Sequence, residues 1–177
     1  MVSLRELLSR RIKRELAIQE NAHVSFAEMI TPAFVGGLLI GLILGIPGLN
    51  LLIPAVMLGG YYAVAMVKEY YEKYLTTTDA LKVGLAAGFI GAFIGTALLL
   101  TFAILYSDSI AIFFRGIFNF QTADTILILS GIDPYLTIET LKIRFLANLA
   151  IGMGFGGFGG AYYIKKHREK RKEEEED

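Results

Sequence analysis

Few residues in this chain are of a type and spacing that could do chemistry. Gly152, Gly154 and Gly157 match G-x-G-x-x-G, the spacing that lets a backbone approach a dinucleotide pyrophosphate. That use needs a strand before the glycines and a βαβ unit around them. Here the match lies inside the uncharged run 145–164, so no nucleotide site is expected. The chain has no cysteine, which excludes disulfides, thiolate nucleophiles and Cys-based metal sites. His23 and His167 are the only histidines and lie outside the apolar runs, too few for a His-pair metal site. Walker, G-x-S-x-G and H-E-x-x-H patterns are missing from the sequence. No carboxylate falls within 32–67 or 83–106, which argues against a proton relay there. Catalytic groups, cofactors and metals are therefore not expected, and the chain reads as non-enzymatic.

One set of polar residues remains. Asn50, Asp108, Arg115, Asp133, Arg144 and Asn148 fall at or near one end of the apolar runs, with Asp124, Glu139 and Lys142 beside them. They line a pocket if the segment 107–141 folds over the helices. Otherwise they cap helices and anchor in headgroups.

The elements that must position these groups are membrane helices. The chain has 177 residues, one domain by length, of which 54% are hydrophobic and 19 are glycine. Glycine costs a soluble helix about 1 kcal/mol relative to alanine, whereas membrane helices use it to pack closely. Four apolar runs predict spans at 33–46, 51–67, 83–106 and 145–164. Thr31-Pro32 opens the first, and Pro47-Gly48 and Asn50 separate it from the second. Both are short for a hydrocarbon core of about 30 Å, so either the turn dips into the membrane or the bilayer thins. The polar connection 68–82 is rich in tyrosine, and Thr78 or Asp79 is the expected cap of the third helix. The segment 107–141, with its apolar cluster from Ile110 to Phe120, is expected at the interface or re-entrant. Leu99 is expected to face lipid.

Outside the membrane domain 31–164 lie two charged ends. Residues 1–30 hold a basic amphipathic helix over 3–22, with Ser3 and Glu6 as a capping box. It lies on anionic lipid headgroups or packs on the protein's own loops. The tail 165–177 is expected to fray beyond its first turns. No cleavable signal peptide is expected, because the first apolar run begins near residue 32. Fourteen of the seventeen Lys and Arg residues fall on one side of a four-span arrangement. The positive-inside rule then places both termini in the cytoplasm of a multi-pass cell-membrane protein. The net charge of zero offers no footprint for nucleic acid.

Small residues recur every four positions. Gly37, Gly41 and Gly45 mark the first run, Ala55, Gly59 and Ala63 the second, Ala87, Gly91 and Gly95 the third, and Gly152, Gly156 and Gly160 the fourth. Gly84 and Gly88 form a neighbouring stripe on the third. Such stripes serve packing within the chain, or one of them faces a second copy. The two hairpins also share a pattern: Asn50-Leu-Leu-Ile leads to Gly59-Gly60-Tyr61-Tyr62, and Asn148-Leu-Ala-Ile leads to Gly159-Gly160-Ala161-Tyr162-Tyr163. This suggests two tandem hairpins related by an axis along the membrane normal.

The succession GGLLIGLILGIP, LGGYYAVAMVKEY and DALKVGLAAGFIGAFIG, within 33–100, resembles small Gly-rich prokaryotic, archaeal-like multi-pass membrane families of unknown function. The resemblance implies a four-helix architecture and brings no catalytic residues. The fold expected is an all-α four-transmembrane-helix bundle. The function expected is a self-associating scaffold or interaction protein, with a small channel or transporter as the alternative.

Overall fold

A computed structural model describes residues 24–71, 75–117 and 138–176. The expected helix at 3–22 and Asp133 lie outside the described residues. Four long helices make up the described chain: α1 (Phe26–Gly45), α2 (Val56–Tyr71), α3 (Thr77–Ile117) and α4 (Ile138–Glu176). Two short 3-10 turns, Leu49–Leu51 and Ile53–Ala55, join α1 to α2. No strand occurs among the described residues.

Local chemistry sets the helix starts. Ser25 and Glu28 form a capping box: Ser25 Oγ accepts from the Glu28 N–H at 3.4 Å, and the Ser25 N–H donates to Glu28 Oε2 at 2.8 Å. This start overrides Pro32, which sits inside α1 instead of opening it. The cap of α3 is Thr76, not Thr78 or Asp79: its Oγ1 accepts from the Asp79 N–H at 3.1 Å and donates to the Asp79 carboxylate at 2.5 Å.

Two helices outrun their expected bounds. Helix α3 passes Asp108 and Arg115 without a break, so 107–117, the first part of the expected outer segment, is helix continuous with the span, and 118–137 lies outside the described residues. Nothing in 107–115 is Pro or Gly, so polarity changes there without any signal to stop a helix. Helix α4 begins at Ile138, ahead of the expected span 145–164, and runs on through the charged tail to Glu176, where fraying beyond the tail's first turns is the sequence expectation. Its tail spaces Lys170 from Glu174, Arg171 from Glu175 and Lys172 from Glu176 by one turn, a spacing that supports helix.

The helices form a four-cornered bundle. Helix α1 packs on α2 and α3, and α4 packs on the same two, while α1–α4 and α2–α3 are the diagonals. In a tandem repeat α1 corresponds to α3 and α2 to α4. An axis along the bundle would place each corresponding pair across a diagonal. Both pairs are instead neighbours, so the hairpins lie displaced side by side and the expected axis does not describe them. Ile40, Leu44, Val56, Val64, Val67 and Val83 fill the interior. Helix α1 and the stretch Thr77–Leu105 of α3 are each long and apolar enough to cross a membrane.

Candidate functional site

The most elaborated feature of the bundle is its set of glycine crossings. Helix α3 carries two stripes that serve different neighbours. Ala87, Gly91 and Gly95 face α1, where Gly37, Gly41 and Gly45 lie in parallel register. A Cβ added at Gly41 would stand 2.6 Å from Ile94 Cβ, one at Gly45 2.8 Å from the Gly95 carbonyl oxygen, and one at Gly91 2.6 Å from Ile40 Cβ. The other stripe, Ala80, Gly84 and Gly88, runs antiparallel to Gly160, Gly156 and Gly152 of α4. Added Cβ atoms at Gly152 and Gly156 would each lie 2.6 Å from the carbonyl oxygens of Gly88 and Gly84. Gly59 meets the Gly36 carbonyl across α1–α2, and Gly60 meets the Gly156 carbonyl across α2–α4. Backbone therefore approaches backbone at all four neighbouring helix pairs, and all eleven glycines singled out by spacing are buried. A C–H group of one helix that points at a carbonyl oxygen of the next contributes about 0.5–1 kcal/mol.

Above the last crossing, α3 and α4 remain paired. Phe93 and Phe145 meet edge to face at 4.9 Å, and Asn148 Nδ2 donates to Thr96 Oγ1 at 3.1 Å. Both polar residues are visible in the sequence, but their pairing over 52 positions is not. It satisfies an amide inside an otherwise uncharged stretch, where an unmet group is costly. Asn148→Ala should cost about 0.6 kcal/mol, the typical worth of such a bond, because the Thr96 hydroxyl can turn back to its own helix. A denaturation series in detergent micelles would measure this, and a loss several times larger would mean that Asn148 supports more than one bond.

Of the residues of the expected polar pocket, Asp133 lies with the rest of 118–137 outside the described residues, and the others are placed as follows. Arg144 is half-buried one turn from Asn148 on α4. Asn50 lies in the α1–α2 turn with its Oδ1 buried. Asp108 and Arg115 ride on the extension of α3, Asp108 about 18 Å along the helix from Thr96 at 1.5 Å per residue. The continuation of α3 carries them away from Asn148. Leu99, expected to face lipid, is buried at 3% exposure.

The opposite end of the bundle holds a cluster that sequence spacing does not single out. Tyr61 of α2 meets Tyr163 of α4 edge to face at 4.9 Å, and Tyr163 stacks on His167 at 4.1 Å. Lys68 Nζ lies 5.7 Å from the Tyr163 ring centre, within cation–π range. Nearby, Asp79 is buried with Lys82 at 3.6 Å. Outside the bundle, Met57, Ala150, Ile151, Gly154, Phe155 and Phe158 line an apolar groove of about 470 Å³. A Cβ at Gly154 would meet nothing within 4 Å, unlike the other glycines of α4.

No family model, curated protein or solved structure matches the chain.

Proposed function

We propose that this is a multi-pass membrane protein whose four helices are embedded with both chain ends on the cytoplasmic side of the cell membrane. It serves as a non-enzymatic, self-associating scaffold. The carrying observation is an uncharged belt. Helix α1 has no charge after Glu28, α2 none before Lys68, α3 none between Lys82 and Asp108, and α4 none between Arg144 and Lys165. The α4 stretch measures about 30 Å at 1.5 Å per residue, against a hydrocarbon core of about 30 Å. The tyrosines and Lys68 of the Tyr163 cluster mark one edge, as headgroup-level residues do.

Two features support a scaffold over a conduit. The helix crossings meet backbone on backbone, and Ile40, Val64 and Val83 fill the space between them. A solute path would need polar lining where these side chains lie. The glycine stripes lie within one chain, and on α4 the notch at Gly154, beside the apolar groove, is the close-approach surface for a second copy.

Purified protein in sealed vesicles should pass no ions or small solutes above empty vesicles, and should crosslink to itself in native membranes. Gly154→Leu should lower the crosslinked yield while leaving the folded monomer intact. Solute-selective flux through the wild type would overturn the scaffold reading in favour of a transporter.

A further inference from the structure

The first hairpin is shorter than the pair it packs against. Gly45, the last residue of α1, faces Leu98 and Gly95 of α3. Leu98 is about 15 Å along α3 from Asp108, at 1.5 Å per residue. Gly60 faces Gly156, which sets Val56, the first residue of α2, at about the height of Gly152. Gly152 is about 12 Å along α4 from Arg144 by the same rise. The ten residues Ile46–Ala55 thus turn the chain below the layer where α3 and α4 carry their charges.

The turn itself is built for a dry setting. It contains no charged residue. Leu49, Leu51 and Leu52 project outward at 40%, 52% and 56% exposure. Irregular backbone at membrane depth must satisfy its own polar groups. The N–H groups of Leu49, Asn50, Leu51, Leu52 and Ala55 donate to Ile46, Ile46, Gly48, Leu49 and Leu52 carbonyls at 2.8–3.4 Å, and that of Ile46 donates to Leu42 at 3.1 Å. Pro47 and Pro54 have no N–H to satisfy. Gly48 takes φ +90°, which lets the chain reverse tightly without exposing a side chain.

We propose that the Ile46–Ala55 turn is seated among the lipid acyl chains of the leaflet opposite Lys68 and Lys165, with its leucines in contact with lipid. The hairpin α1–α2 is then an apolar wedge that enters from the cytoplasmic side and stops short of the far headgroups, while α3 and α4 pass through. This rests on the membrane reading above.

The cysteine-free chain lends itself to spin labelling at single introduced cysteines. Leu51→Cys and Leu52→Cys probe the turn, Phe158→Cys the middle of the belt on α4, and Gly116→Cys the far end of α3. All four positions are exposed in the monomer. In reconstituted vesicles the turn labels should resemble position 158: high collision with oxygen and several-fold lower collision with a water-soluble nickel chelate than position 116. If 158 is shielded while 51 and 52 meet nickel as freely as 116, the turn is in water and the inference is overturned. If 158 is equally wetted, the membrane reading itself fails and the inference with it.

Discussion

Gly156→Leu should abolish the folded monomer. Gly156 sits where three helices converge. Its carbonyl oxygen fills the space of a side chain at Gly60 and Gly84, and its own missing Cβ would stand 2.6 Å from the Gly84 carbonyl and 3.3 Å from Gly88 Cα. Overpacking a core commonly costs about 1–3 kcal/mol because side chains can shift. Here the two nearest neighbours are main chain of α3, so α3 and α4 must move apart, and the expected cost lies at or above the top of that range. Gly156→Ala should fall within it. Gly154→Leu, two residues along the same helix but facing open space, should leave monomer stability within about 0.5 kcal/mol, as surface substitutions do. Size-exclusion chromatography in detergent after stepwise heating would rank the three. Equal melting of Gly156→Leu and Gly154→Leu would rule out close backbone packing as the basis of the bundle.

Ile40→Ala should be the most damaging truncation of a side chain. Ile40 is fully buried and is the near neighbour of the spaces beside Gly59, Gly91 and Gly156, so one side chain of α1 touches all three other helices. In lipid its removal loses less transfer energy than in water, but the cavity and the lost contacts remain. A loss of about 2–5 kcal/mol is expected for Ala and about 0.5–1.5 for Val. Leu42→Ala, on the outer face of the same helix, should have little effect. Urea or detergent-denaturation midpoints would show the order, and a Leu42→Ala penalty matching that of Ile40→Ala would contradict the assignment of the interior.

Much of this arrangement can be read from the residues, and what cannot shares a cause. Four-residue spacing identifies which face of a helix is grooved, as for Gly37, Gly41 and Gly45, because the period is local. It does not identify the partner. That α3 turns Gly91 to α1 and Gly84 to α4 depends on how helices distant in sequence are arranged around it. The Thr96–Asn148 bond is hidden for the same reason. The extension of α3 to Ile117 escapes a reading by polarity, because the polar step at Ser107-Asp108-Ser109 changes the surroundings of the chain and not its backbone. Helix continues wherever nothing ends it, in lipid or in water. The start of α1 is legible from Ser25 and Glu28, and their reciprocal bonds outweigh the preference of Pro32 for a first turn. The inward face of Leu99 is not legible, since a uniformly apolar helix gives no hydropathic sign of its inner side.

The membrane arrangement is open to one direct measurement. Single cysteines at Thr77 and Arg168 stand at one end of the bundle, and at Gly116 and Glu139 at the other, and all four positions are exposed. In intact cells an impermeant thiol reagent should label 116 and 139 and leave 77 and 168 untouched until the membrane is opened. Labelling of 77 together with 116, before the membrane is opened, would mean that α3 does not cross the bilayer, and the embedded bundle would have to be abandoned.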